Sequence, residues 1–576
     1  MLIVAKDGTG DFTTVQAAVD AAISTDRAPQ IILIRSGEYR ERVVVDRDNL
    51  RIIGENSADT VITWSACAHD QDAEGKEKGT FLSFTFLVTG RNVTVENLTI
   101  RNDAGDGRIA GQAVAVYAAG DRGIWRNCRL IAHQDTLFCG PVMRKIGAEI
   151  APRSLAGAEC VDSVGDCPLT HSRQYFENCL VQGDVDFIFG PYRCWFEGCE
   201  LRMNARGGWF TAANTPETQP YGMVFHDCHL TGDCAPGKAY LGRPWRRFAR
   251  TVFLNCRMDA CVADCGFIDW DEKRVITERC GEWKSTGDGA GTARHPAQKR
   301  FSDEEARCLT MREVLGGYDG WQPDRPAVTW YLCGDSTMAD YPLERAPMMG
   351  WGQKLQPLLP DNALVENLAV CGRSSKSFID EGHLAAIAPC LRSGDKLVIS
   401  FSHNDEKADP LRHTDPETTF PEYLNRYIDL ALEKGAEPIL VTPIARRLFD
   451  GQVRLMATHG AYPAAIMNLS RRRGLRCVDL ENATMQAVEA LGEQDSRKLF
   501  CHVPKGHPNY PDGSADNSHL CERGAALFAG LFVDLLNGDL TPESRAEQTE
   551  NTRTLGALID KEDDVLKHME KTDLHH

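Results

Sequence analysis

The period of the apolar positions changes along the chain, and the changes outline its architecture. A short apolar strand, a turn at Asp7-Gly8-Thr9-Gly10 and helical spacing over Asp11–Val19 open it. Strands are predicted at Ile31–Ile34, Val43–Val45 and Leu50–Ile53. From about residue 80 the pattern becomes a repeat. Glu96-Asn97-Leu98-Thr99-Ile100 returns as Arg126-Asn127-Cys128-Arg129-Leu130, then as Glu177-Asn178-Cys179-Leu180-Val181 and Glu197-Gly198-Cys199-Glu200-Leu201. His226-Asp227-Cys228-His229-Leu230 and Leu254-Asn255-Cys256-Arg257-Met258 complete the series. Cysteines 179, 199, 228 and 256 are spaced by 20, 29 and 28 residues. Short strands at such a period, with turn residues between them, predict a solenoid, most simply a parallel β-helix. The repeated cysteines then stack inside as small apolar residues.

One interval breaks the period. From Cys128 to Cys179 the chain runs 51 residues, roughly twenty to thirty more than a coil needs. The excess, about Pro141 to Pro168, follows Gln134-Asp135-Thr136-Leu137 and reads either as a lid or subsite wall or as a tolerated surface loop.

Downstream the pattern changes again. A Gly-rich stretch, Gly287-Asp288-Gly289-Ala290-Gly291, precedes the short segment Gln322-Pro323-Asp324-Arg325-Pro326. Val328–Cys333 then reads as a buried strand, and helical patterns alternate with strands at Asp395–Phe401, Pro438–Val441 and Arg476–Val478. That alternation predicts a three-layer α/β domain with a parallel sheet. The expected organisation is a β-helix over 1–321, a linker over 322–327, an α/β domain over 328–540 and a charged tail over 541–576. The tail carries a helical pattern at Leu555–Glu570.

Charge and cysteine content narrow the class. Sixty-four basic and 82 acidic residues give a net charge of −18 in 576 residues. That balance argues against nucleic acid or an anionic membrane as partner, and no obligate protein partner is indicated. It also offers a polyanionic substrate no long-range attraction, so arginines local to a site would have to supply it. No apolar run approaches a membrane span. Met1–Lys6 lacks a basic region followed by an apolar one, so no export signal is expected. The 21 cysteines, an odd number, then fit reduced thiols in a cytoplasm better than a disulfide framework. Cys261 with Cys265, His226 with His229, and Cys139, Cys160, Cys167 with His171 lack standard zinc spacing, so no metal is expected.

Asp186 stands inside the apolar run Gly183-Asp184-Val185-Asp186-Phe187-Ile188-Phe189-Gly190. A buried carboxylate is costly unless it has partners or a task. Alone it reads as a satisfied structural residue. Gln112-Ala113-Val114-Ala115-Val116, Gln134-Asp135-Thr136-Leu137 and Tyr240-Leu241-Gly242-Arg243-Pro244-Trp245 change that. Two carboxylates, two amides and an arginine can attack an ester, protonate its leaving group and hold an oxyanion.

Residues 2 to about 321 resemble the pectin methylesterases. The likeness rests on Val4–Phe12, Gly37-Glu38-Tyr39-Arg40-Glu41, the four stretches above and Leu315-Gly316-Gly317-Tyr318-Asp319-Gly320-Trp321, in the family's order. It implies a right-handed parallel β-helix. By that resemblance Asp186 is the nucleophile, Asp135 the general acid and then base, and Gln112 and Gln134 the oxyanion donors. Arg243 orients Asp186 and keeps it ionised, and Phe138, Phe189 and Trp245 stack on sugar rings. Arg243 is expected to lower the pKa of Asp186, while burial and like charge raise that of Asp135. Phe138 stands where many members carry Tyr.

In the second domain the first strand ends in Gly334-Asp335-Ser336-Thr337-Met338, read as a strand-to-helix turn. Asp516-Asn517-Ser518-His519 comes near the end of the domain, and Gly372 and Asn404 lie between. Strand ends converge on one edge of a parallel sheet, so these places can meet. The order resembles the SGNH hydrolases, with motifs most similar to rhamnogalacturonan acetylesterases over about 328–536. The resemblance implies Ser336 as nucleophile, His519 as base and Asp516 as its orienter. The N–H groups of Ser336 and Gly372 and the Asn404 amide form the oxyanion hole. Ser402 replaces the family's usual Gly, and His403 is a candidate substrate contact. His69, His133, His383 and His459 read as surface or core residues.

The combined reading is a two-domain pectin de-esterifier acting on pectic polysaccharide or oligosaccharide with no cofactor. A β-helix lyase or a binding scaffold, joined to an SGNH lipase or thioesterase, remains the alternative at this stage.

Overall fold

The structure is a computed structural model. It describes residues 1–23, 29–143, 160–161, 173–317, 319–323, 328–360, 363–450 and 454–538. Nearly all of the expected insertion, linker residues 324–327, Tyr318, and the tail with its helical pattern lie outside that set. The chain divides into two compact units, Met1–Pro326 and Ala327–His576.

The first unit is a parallel β-helix. Three sheets of eleven, eight and seven strands run its length, and a coil gives one short strand to each, as in Gly123–Arg126, Arg129–Ile131 and Leu137–Cys139. The repeat read from sequence is the corner between the eleven- and eight-stranded sheets. Asn97, Asn127, Asn178, Gly198, Asp227 and Asn255 all hold φ between 51° and 57°. Asn, Asp and Gly tolerate this left-handed conformation better than other residues, so each corner carries one. Successive corners also bond, Asn127 Nδ2 donating to Asn97 Oδ1 at 3.1 Å.

Behind each corner the next residue points inward. Cys128, Cys179, Cys199, Cys228 and Cys256 are fully buried, and their thiols face backbone carbonyls, Cys128 Sγ lying 3.4 Å from Val95 O. Beside them Trp125, Phe176, Phe196, Phe225 and Phe253 stack with centroids 5.9, 4.4, 4.5 and 4.7 Å apart. Parallel pairing in register puts like residues on like. The helix Val15–Ala21 packs Val15, Ala18 and Val19 into the same core, capped by Thr14, whose hydroxyl accepts from Ala17 N. On the outside of the eleven-stranded sheet, Val314 and Leu315 of the helix Met311–Leu315 cover Tyr175, Trp195, Val224, Val252 and Leu254.

The second unit is built on a five-stranded parallel sheet in the order Ala363–Asn367, Val328–Gly334, Lys396–Ser400, Glu437–Val441, Arg476–Val478. The longer helices are Thr419–Glu433, Tyr462–Arg473, Leu480–Asp495 and Glu522–Asn537. A small antiparallel sheet sets Ser514–Cys521 between Met348–Met349 and Phe500–Val503. Ser336 differs from expectation. No α-helix follows it; the chain makes a tight turn in which Met338 N and Ala339 N both donate to Asp335 O.

Candidate active sites

In the β-helix the expected polar residues gather at the leading ends of strands in the seven-stranded sheet. Asp135 and Asp186 stand two residues before Leu137–Cys139 and Ile188–Gly190, which pair directly. Both aspartates hold positive φ, 65° and 50°, the left-handed conformation that Asp tolerates better than most residues. Asp135 N donates to Val185 O at 3.0 Å, which fixes the two turns together. Gln112 pairs with Gln134 across the neighbouring coils. Neither glutamine side chain has a hydrogen-bond partner among the described residues, so both amides are free to donate to a ligand.

Arg243 closes the set from two coils further on. Its Nε and Nη2 donate to the Asp186 carboxylate at 2.9 and 2.7 Å, a bidentate fork. The guanidinium lies between the rings of Trp209 and Trp270, 3.7 and 3.9 Å from their centroids. Neither tryptophan was expected from sequence. Trp209 pairs in register with Tyr240, three residues before Arg243, a relation visible only once the coils are aligned.

The two carboxyl groups differ in ionisation. Burial and the nearby Asp186 charge push Asp135 well above the ordinary carboxylate range. Burial also raises Asp186, and the Arg243 fork pulls it back. The expected net lowering of Asp186 is therefore corrected: desolvation of an almost sealed carboxyl outweighs the guanidinium. The order survives, because Asp135 has no such fork, and Asp186 ionises first.

The aromatic expectation also needs correcting. Phe138 is fully buried, with ring centroids 4.8 Å from Tyr117, 4.9 Å from Phe81 and 4.8 Å from Phe189. Its ring is a packing element and presents no face to a sugar. Phe189 is buried too, at 4 % exposure. Trp245 is partly exposed and packs edge-on against Phe189. A second feature missed from sequence is Asp184, fully buried and bonded to His133 Nδ1 at 3.0 Å. That bond to Asp184 raises the His133 pKa.

In the second unit, Ser336, His519 and Asp516 form a hydrogen-bonded chain. His519 Nε2 lies 2.9 Å from Ser336 Oγ, and Nδ1 lies 2.7 Å from Asp516 Oδ2. Asp516 Oδ1 also accepts from the backbone N–H groups of Ser518 and His519 at 2.8 and 2.9 Å. Burial opposes ionisation of Asp516, but those bonds hold its carboxyl at about 2. The residue therefore stays charged beside the imidazole.

Gly372 has φ of 79°, with no atom near the place a Cβ would occupy. Asn404 Nδ2 donates to Arg373 O at 3.1 Å, which ties the two loops. Ser402 holds φ of 153°, a glycine-like conformation carried here by a side chain whose Oγ meets His459 Nδ1 at 3.3 Å.

His403 departs from expectation. It is 6 % exposed, its Nε2 is sealed from solvent and has no partner, and its ring packs on His459 at 4.4 Å. Burial and the neighbouring His459 keep it well below the usual imidazole range. In this conformation its Nε2 cannot touch a substrate. His459 instead bonds Glu406 at 3.0 Å and Ile444 O at 3.0 Å. One donor atom each from His403, Glu406 and His459 lie within 4.8 Å of one another, a set able to hold a divalent cation. Arg446 already occupies that carboxylate at 2.6 Å, so the carboxylate is satisfied without one.

Both units are similar to known proteins. Residues 1–144 and 159–317 match the Pectinesterase family, and residues 332–526 match the GDSL-like Lipase/Acylhydrolase family. The chain is 43% identical over 205 residues to rhamnogalacturonan acetylesterase RhgT of Bacillus subtilis (strain 168), covering 35% of this chain and 87% of the relative. It is 30% identical over 314 residues to Pectinesterase 31 of Arabidopsis thaliana, covering 53% of this chain and 89% of the relative. Among solved structures, a pectin methylesterase from carrot is 27% identical, with a TM-score of 0.46, covering 55% of this chain and 93% of that one.

Proposed function

The chain belongs to the pectinesterase family over residues 1–317 and to the GDSL-like lipase/acylhydrolase family over 332–526, and from that premise we propose that it removes two kinds of ester from pectin. Methyl esters of polygalacturonate are hydrolysed at Asp186 and acetyl esters of rhamnogalacturonan at Ser336.

The first reading is carried by the unequal pair Asp186 and Asp135. An Asp186 oxygen attacks the ester carbonyl carbon, and the carbonyl electron pair moves onto its oxygen, toward the Gln112 and Gln134 amides. The tetrahedral species collapses and expels methanol, which takes its proton from Asp135. Water then attacks the acyl-enzyme, giving a proton to the ionised Asp135, and Asp186 is released. This sequence needs one carboxylate charged while its neighbour is protonated, which their surroundings favour. A lyase would want an uncommitted base at the scissile bond, whereas Arg243 is committed to Asp186.

The second reading is carried by the Ser336–His519–Asp516 chain. Ser336 Oγ attacks the acetyl carbonyl as its proton passes to His519 Nε2, and Asp516 steadies the imidazolium. Gly372 N–H, Ser336 N–H and the Asn404 amide are proposed to hold the oxyanion. The likeness to an acetylesterase, together with a pectinesterase unit in the same chain, supports acetylated rhamnogalacturonan over lipid or thioester. We also propose a reducing location, supported by the free thiols at all cysteines whose side chains are described.

The test is to assay methanol and acetate separately on a methylated, acetylated pectic oligosaccharide. Asp186→Ala is expected to lose methanol release and keep acetate release. Ser336→Ala is expected to do the reverse and to lose labelling by a fluorophosphonate. Methanol release by Asp186→Ala at the wild-type rate overturns the first assignment, and unchanged acetate release by Ser336→Ala overturns the second.

A further inference from the structure

Away from both sites, the outer face of the eleven-stranded sheet carries a row of arginines at one register position. Arg173 pairs with Arg193 on the next coil. Cys194 pairs with Met223, and Met223 with Thr251, so Arg193, Gly222 and Arg250 fall on one line. Val252 pairs with Gly281, which carries the line to Arg279. Cys194 and Phe253 point into the core, while Trp195 and Val252 pack on the outer face. By the two-residue alternation of strands, Arg193 and Arg250 are on the outer side as well.

The four arginines are not equivalent. Arg173 is neutralised by Asp121 and Asp319, its Nη2 donating to them at 2.7 and 2.8 Å. Arg279 pins the preceding loop by donating to Pro216 O and Gln219 O at 3.4 and 2.8 Å. Arg193 and Arg250 are different. Both are half-buried, and neither guanidinium has a hydrogen-bond acceptor among the described residues, although the Asp121 and Asp319 charges that neutralise Arg173 also act on Arg193. Burial, then Arg173, makes Arg193 harder to keep charged; burial, then Arg279, does the same to Arg250. Charges that lose water normally gain a hydrogen-bonded partner, and here two neighbouring ones have none among the described residues.

The backbone between them is closely packed. Gly222 lies on the line between Arg193 and Arg250, and a Cβ there would meet the backbone carbonyl of Arg250 at 2.3 Å and Thr215 Oγ1 at 2.6 Å, so the glycine lets the next coil pack close. Its φ is not in the positive range, so room and not backbone conformation explains the glycine. Tyr221 stands beside it, its ring 5.6 Å from the Arg250 guanidinium. Two coil steps separate the arginines, about 10 Å at the usual strand spacing. That is wide for one small anion and suits successive carboxylates on a linear chain.

We propose that Arg193 and Arg250, with Tyr221 beside them, bind the carboxylates of a de-esterified uronate chain at a second site distinct from Asp186. The proposal rests on the pectic substrate reading. It also answers the problem set by the net charge of −18, since local unpaired guanidinium groups supply the attraction that the whole molecule lacks.

The test is calorimetric titration of the full chain with unesterified oligogalacturonate at low salt. Wild type is expected to bind a second equivalent, and the double variant Arg193→Gln/Arg250→Gln to weaken that site by about tenfold or more. Arg193→Lys/Arg250→Lys should restore part of it. Methanol release from a short, fully methyl-esterified substrate should be unchanged in both variants, and the Gln variant should melt close to wild type, because the removed groups make no hydrogen bond with the described residues. No second equivalent in wild type, or its full retention in the Gln variant, overturns the proposal. So does a lower melting temperature of the Gln variant with binding unchanged, which would make these arginines structural. Displacement by sulfate at the same molarity as the oligosaccharide would mark a simple oxyanion site and overturn the uronate assignment. Absence of methanol release from wild type would instead break the pectic reading, so the two failures are distinguishable.

Discussion

Replacing Arg243 by Lys isolates what the fork does for Asp186. Lysine keeps the charge but loses one of the two bonds at 2.9 and 2.7 Å and the flat face held between Trp209 and Trp270. A hydrogen bond to a charged group contributes about 1.5–3 kcal/mol. Because this bond favours the ionised form of Asp186, losing it raises that carboxyl's pKa by about one to two units. The sign follows from the burial that already raises Asp186 and the Arg243 contact that lowers it. The nucleophile is the ionised form, so activity is lost as pH falls through its pKa. The acidic limb of kcat/KM for methanol release should therefore move upward by about one to two pH units. The plateau should fall as well, because the carboxylate is no longer held in one orientation, while acetate release stays at the wild-type level. A large fall in rate with the acidic limb unmoved would refute control of ionisation by Arg243 and leave it a purely geometric role.

Further outcomes are expected. Asp516→Asn should keep the fold and slow acetate release by up to about ten-thousandfold. Asp516 has a folded pKa of about 2, below the ordinary value near 3.9, so its stabilising effect is present above about pH 4 and lost as pH falls toward 2. The melting-temperature penalty of Asp516→Asn should accordingly be largest near neutrality and shrink at about pH 3; an equal penalty at both would argue against linkage through this carboxyl. Phe138→Ala should cost about 3–5 kcal/mol in denaturant unfolding of the β-helix. A rise in KM with no change in stability would return that ring to the sugar-stacking role from which its burial removes it.

Much of the fold was legible because parallel coils repeat one local problem. Each corner needs a left-handed residue followed by a buried apolar one, so Asn-Cys and its variants recur at readable intervals. The α/β alternation after Val328 was legible for a similar reason, since buried parallel strands are continuous apolar runs. What local pattern could not carry was the environment set by residues far apart in sequence. Trp209 and Trp270 reach Arg243 only after neighbouring coils align. Phe138 is buried because Phe81, Tyr117 and Phe189 converge on it from three other segments. The upward shift of Asp186 depends on how fully the fold seals it, and adjacency to Arg243 in a motif says nothing of that. His403 was judged by its neighbour Asn404, whereas His459, brought in across the sheet, decides where its ring lies.

The distribution of the two sites along the chain also has a temporal side. Gln112, Gln134, Asp135, Asp186 and Arg243 come from successive turns of a spiral, so during synthesis the first site gains its parts in the order they leave the ribosome. Until Arg243 arrives, Asp186 has no counter-charge, and nothing offsets the burial that favours the protonated form of its carboxyl. The second site closes differently. Ser336 and His519 are 183 residues apart and meet only when Ser514–Cys521 enters its antiparallel sheet. A chain interrupted between Pro326, where the first unit ends, and His519 can thus carry a full set for one ester and an incomplete one for the other. A protease that trims the second unit would convert a two-activity protein into a one-activity protein without touching the spiral.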